Sequence, residues 1–141
     1  MNKTILLVVF CFSLFVSGYS QGIRFDSYPS HPRLLVKKGE EQKIKSDLAL
    51  NPEMLRLHNY LLGQCDDLIT TPVLAYKKEG KRLLAVSREA LRRIFYLSYA
   101  YRMTGEDKYR LRAEQEMIAV CSFADWNPSH FLDTGEMTMA V

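Results

Sequence analysis

Apolar residues along this chain recur at intervals of three and four rather than two, and that spacing predicts helices. A first helix starts at Lys37, with Ile44 and Leu48 one turn apart among Lys, Glu and Gln. Asn51-Pro52 interrupts it, and Pro52 suits the first turn of a second helix over residues 53–69. Met54, Leu57, Leu61, Cys65 and Leu68 form the apolar stripe of that helix, which Thr70-Thr71-Pro72 ends. After a weakly patterned, basic connection over residues 73–86, Ser87 is the expected N-cap of a third helix. There Leu91, Ile94, Phe95, Ser98, Tyr101 and Arg102 keep helical spacing, and residues 95–103 are apolar nearly all round, which predicts cover on two sides.

Thr104-Gly105 supplies a glycine C-cap, and Glu106 opens a fourth helix with Tyr109, Ala113, Met117 and Val120 as its stripe and Glu106 supporting Arg110. Residues 123–128 read as a turn, with a fifth helix from near Ser129 opened by Pro128 and capped by Asn127 or Ser129. No segment alternates in the manner of a strand. The pattern predicts an all-α fold of antiparallel helical hairpins. No Gly, Asn, Pro or basic last turn follows residues 131–141, so the fifth helix is expected to continue and the domain to be truncated there.

The first 20 residues stand outside this pattern. Asn2-Lys3, the apolar run from Ile5 to Val16, and Gly18-Tyr19-Ser20 before Gln21 form a secretory signal peptide, too short for a comfortable bilayer span. Residues 21–36, with Pro29 and Pro32, form an extended lead-in to a domain over residues 37–141. A periplasmic or secreted location follows, with no membrane span after cleavage. In such a compartment Cys65 and Cys121 either form a disulfide or are two small buried hydrophobes, and spacing alone leaves both open. The formal charge of +3 falls to +2 once Lys3 is removed, far from the basic stripe of a nucleic-acid binder.

Three stretches resemble the N-terminal helical domain of heparinase II/III-like polysaccharide lyases: His31-Pro32-Arg33-Leu34-Leu35, residues Arg82 to Arg93, and residues Trp126 to Met137. The hairpin from Tyr101 to Tyr109 is also of a kind found in that family. The resemblance implies an incomplete (α/α) toroid followed by a β-sandwich, and β-elimination on uronate-containing glycans such as heparin, heparan sulfate or alginate. Removing the C5 proton builds charge beside a carboxylate, so such an enzyme neutralises that carboxylate and supplies a base and an acid. The family's catalytic Asn or His, Tyr and His motifs lie later in its sequence and have no counterpart here. No catalytic residue is therefore assigned, and no cofactor or metal is implied. The expected partner is an acidic polysaccharide or oligosaccharide, and the missing toroid helices and β-sandwich belong to the same protein.

Within these limits the candidate substrate-binding residues are Trp126, Asn127 and His130. A histidine in a Pro-opened first helical turn sits among free N–H groups suited to a carboxylate or sulfate, with Trp126 as a sugar platform. The competing reading has Trp126 and Phe131 packing the core and His130 satisfying a loop carbonyl. His130, Asp133 and Glu136 recur every three residues, yet one such helix face is weak evidence for a metal. Lys77, Lys78, Lys81, Arg82, Arg88, Arg92 and Arg93 form a basic cluster that either attracts acidic glycan or is a solvated face. Tyr96, Tyr99 and Tyr101 have the spacing of core and cleft-wall packing. The rival function is a non-catalytic tetratricopeptide-like module. Self-similarity near 34 residues, which that requires, is absent between residues 51–69 and 87–105.

Overall fold

The computed structural model describes residues 30–141 except Arg33. The segment expected to be a signal peptide and most of the expected lead-in fall in residues 1–29, outside the described residues. Among the described residues five helices follow one another: α1 (Glu40–Leu50), α2 (Pro52–Thr70), α3 (Leu84–Thr104), α4 (Asp107–Cys121) and α5 (Phe131–Ala140). The fold is all-α; among the described residues the only β-type pairing is an isolated bridge between Glu79 and Arg82. Among the described residues no helix is long and apolar enough to cross a membrane.

Local chemistry explains the start of α2 and the end of α3. The Asn51 carboxamide oxygen accepts from the N–H groups of Glu53 and Met54 at 3.1 and 3.2 Å, and Pro52 occupies the first helical position. Gly105 ends α3 at φ 77°, its N–H donating to Tyr101 O at 2.7 Å; this left-handed backbone is what glycine supplies without strain. The support expected from Glu106 for Arg110 is replaced: Arg110 pairs with Asp107 and Glu114, and Glu106 with Lys108. The lead-in also turns, since Lys38 N–H donates to Pro32 O at 2.8 Å and Arg102 binds the carbonyls of Val36 and Lys37 along with Glu41.

Helix α3 is the central element, packed against α4, α5 and α2, with α1 on α2. Its first half joins α4 and α5 in one core of Leu83, Val86, Ala90, Ile94, Val120, Met137 and Ala140. Its second half meets α2 and α4 in another, through Cys65, Leu68, Leu97, Ala100, Tyr109 and Ala113. The predicted stripe of α2 is buried only in its C-terminal half: Cys65 and Leu68 are covered, while Met54 and Leu57 are exposed. Leu97, Ala100 and Met103 of α3 are buried, as an all-round apolar segment requires, but Phe95, Tyr96 and Tyr99 line an open cleft of about 870 Å³ with Leu35 and Met139. Cys65 is a buried free thiol, pushed up to about 11 chiefly by burial, whereas Cys121 is an exposed free thiol at the end of α4.

Between the two cores runs a knot of buried charge. Glu116, fully buried on α4, accepts from Arg112 at 2.6 and 3.1 Å and from Arg93 at 2.9 Å through one oxygen. Its other oxygen accepts from Leu74 N–H at 3.0 Å. Arg93 adds Glu89 and Pro72 O, and Arg112 adds Ile69 O. This network fastens the chain leaving α2 onto the α3–α4 hairpin, and each buried charge has its partner.

Candidate functional site

The turn from Asp125 to His130 is built around Asp133, in the first turn of α5 and fully buried. One carboxylate oxygen accepts from Arg82 Nε and a terminal guanidinium nitrogen at 3.2 and 3.0 Å. The other accepts from Leu83 N–H at 2.8 Å and from the Asn127 amide at 2.7 Å. Burial works to raise the Asp133 pKa, but Arg82, Asn127 and the Leu83 N–H together outweigh it and hold the carboxyl down at about 2. Asp133 is thus the acceptor at the start of α3, which begins at Leu84 and has no local side-chain cap. Ser87, the expected cap, lies inside that helix, buried, with its hydroxyl donating to Leu84 O.

Asn127 is 2% exposed and takes up positive φ, 58°, a conformation that asparagine tolerates better than most residues. Its amide nitrogen also donates to Lys81 O at 2.9 Å, and its backbone N–H donates to Asp125. Trp126 is half-buried against the first core, its indole N–H donating to Val120 O at 2.8 Å and its carbonyl accepting from Thr134. Both side chains therefore hold the turn together, which matches the packing reading of Trp126 and gives Asn127 a role that spacing alone does not suggest. Phe131, by contrast, is exposed rather than in the core.

His130 is half-exposed and sits at the N-cap of α5, one residue before the first turn where it was expected, because residues 128–130 are themselves a turn. Its backbone N–H donates to Asn127 O and its carbonyl accepts from Asp133 N–H, while no side chain caps the helix. Of the three candidate residues, His130 alone keeps its polar side chain free of protein partners among the described residues. The spacing of His130, Asp133 and Glu136 does not assemble a metal site: Asp133 is turned into the Arg82–Asn127 network and Glu136 pairs with Arg88. Among the described residues no group of three His, Cys, Asp or Glu side chains converges.

Against this turn lies the segment Tyr76 to Arg82, an irregular stretch whose one backbone pairing closes a tight hairpin turn over residues 79–82. Glu79 and Arg82 exchange backbone hydrogen bonds of 2.9 and 3.1 Å, and Gly80 turns the chain at φ 59°. The Tyr76 hydroxyl donates to Asp125 at 2.9 Å and its ring meets Phe123 edge-on at 5.4 Å. The turn and the hairpin thus form one surface, with Asn127 bridging them from below. The tyrosines form a separate feature: Tyr96 and Tyr99 line the 870 Å³ cleft, which no residue of the Trp126–His130 turn borders. Tyr99 there shares a 2.9 Å hydrogen bond with His58 Nδ1. No model of a known protein family matches this chain, and no curated protein is similar to it.

Proposed function

We propose that this chain is the N-terminal helical part of an exported polysaccharide lyase of the heparinase II/III-like kind, resident in the periplasm or secreted. Its reaction is β-elimination on uronate-containing glycans, and its five helices are the opening hairpins of an incomplete (α/α) toroid. The acidic glycan meets this part of the protein at the turn of Trp126, Asn127 and His130. The acid–base groups belong to later toroid helices and the β-sandwich of the same polypeptide. The observation that carries this reading is the build of the family-like Trp126–Met137 stretch: buried Asp133 and Asn127 fix the backbone. His130 is left half-exposed at an uncapped helix start beside a basic hairpin. A free imidazole on a fixed backbone and the N–H groups of the helix start suit a uronate carboxylate, which must be bound as charge develops beside it.

The gene and one assay test the proposal. The reading frame is expected to continue past Val141 into further helical hairpins, and the longer product to release unsaturated uronate, seen by ultraviolet absorbance, from heparin, heparan sulfate or alginate. The 141-residue chain alone is expected to release none. A stop codon directly after Val141, or a longer product inert on all three glycans, overturns the lyase reading.

A further inference from the structure

The basic cluster between residues 77 and 93 divides in two once its partners are known. Arg82 is held by Asp133, Arg88 by Glu136, Arg92 by Glu89, and Arg93 by Glu89 and Glu116. Every arginine of the cluster therefore has a carboxylate partner, although Arg88 stays largely exposed, with 62% of its side chain accessible. Lys77, Lys78 and Lys81 are exposed and have no carboxylate partner among the described residues. All three stand on the Tyr76–Arg82 hairpin.

We propose that this hairpin is a contact surface for a polyanionic glycan, with Lys77, Lys78 and Lys81 supplying the charge; this rests on the glycan reading above. The hairpin is fixed before any ligand arrives. The Glu79–Arg82 pair closes it, Asn127 binds Lys81 O from below, and Tyr76 anchors it to Asp125 and Phe123. A pre-formed backbone loses little entropy on binding, so its charges act at full effect. Lysine suits the task because a hydrated point charge on a flexible stem follows a repeating anion without demanding one geometry. The carboxylates beside them are Glu79, which closes the turn, and Asp125, which is bound by Tyr76 and the Asn127 N–H and already feels the charge of Lys78, itself lying over the Tyr76 ring at 5.7 Å. Three lysines against these leave the surface cationic, and Asn127 joins it to His130 through one hydrogen-bonded run.

The test measures binding of the whole chain to immobilised heparin across a sodium chloride series. It compares Lys77→Gln/Lys78→Gln/Lys81→Gln with Lys37→Gln/Lys38→Gln/Lys45→Gln, which removes equal charge elsewhere. The hairpin variant should lose affinity on the order of tenfold or more and show a shallower salt dependence, while the control stays within about twofold. Far-UV circular dichroism confirms that both variants fold. Equal losses in the two variants overturn the hairpin assignment and leave the glycan reading standing. Failure of the unmodified chain to bind heparin, heparan sulfate and alginate overturns both. Tighter binding to single-stranded nucleic acid or to anionic phosphatidylserine vesicles overturns the choice of partner.

Discussion

Replacing Asp133 with alanine tests whether the Trp126–His130 turn and the start of α3 are one structural unit. The carboxylate satisfies Leu83 N–H, the Asn127 amide and Arg82 at once. Arg82 has 40% of its side chain exposed, so it can turn to water and recover hydration. The Leu83 N–H and one Asn127 amide hydrogen cannot, since both residues are buried. Each unsatisfied buried donor costs about 1–3 kcal/mol, so Asp133→Ala should lose about 2–5 kcal/mol. Urea unfolding followed by circular dichroism measures it. A double-mutant cycle with Asn127→Ala should be strongly non-additive, because each change already frees the other's partner. A loss below about 1 kcal/mol, or additive effects, would refute the argument. The same carboxyl gives a pH signature. Its folded pKa is depressed to about 2, below the unfolded value near ~3.9, so its stabilisation is complete above the unfolded value. That contribution is lost as pH falls from about 5 towards 2, and Asp133→Asn should remove that part of the acid sensitivity.

Three further outcomes are expected. Glu116→Ala, which leaves buried Arg112 without a carboxylate and Arg93 with Glu89 alone, should destabilise the fold by about 3–5 kcal/mol in the same denaturant assay. In the native protein at neutral pH, iodoacetamide should label Cys121 readily and spare Cys65, whose buried thiol is held up at about 11; peptide mapping shows which is modified. His130→Ala should weaken glycan binding or turnover in the longer product by about 1–3 kcal/mol while leaving the unfolding midpoint unchanged. Normal kinetics with a lowered midpoint would make His130 structural.

Elements whose ends are set by adjacent residues were legible in the sequence. Asn51-Pro52 announces α2 and Thr104-Gly105 announces the end of α3, because cap and helix are neighbours in the chain. The start of α3 was not legible by the same rule. Its acceptor is Asp133, fifty residues further along, and Ser87, the nearest local candidate, is simply carried inside the helix. The fifth helix was foreseen but placed two residues early, since Asn127 at positive φ leads into a further turn before helical geometry begins. An asparagine flanked by Trp and Pro does carry that signal, as a residue tolerant of left-handed backbone in a turn. Its buried amide network does not show until Lys81 and Asp133 are brought to it.

The basic cluster shows the same limit from the side of charge. Read along the chain, Lys77 to Arg93 are seven cations of one kind, and the net charge says nothing about how they are used. In three dimensions residue type sorts them. The guanidiniums of Arg82, Arg92, Arg93 and, on α4, Arg112 make paired or forked contacts with Asp133, Glu89 and Glu116. Such planar, directional donors are what partly buried carboxylates need in order to be tolerated. The lysine ammoniums, more strongly hydrated and less directional, stay at the surface. Pairing of each arginine with a carboxylate offsets its charge locally and leaves the lysines of the hairpin beside His130 as the cations of this cluster without such a partner among the described residues. Under the proposed glycan contact, the recognition elements there are a few mobile point charges and a single imidazole, which fit a repeating anion better than a compact, shape-matched molecule.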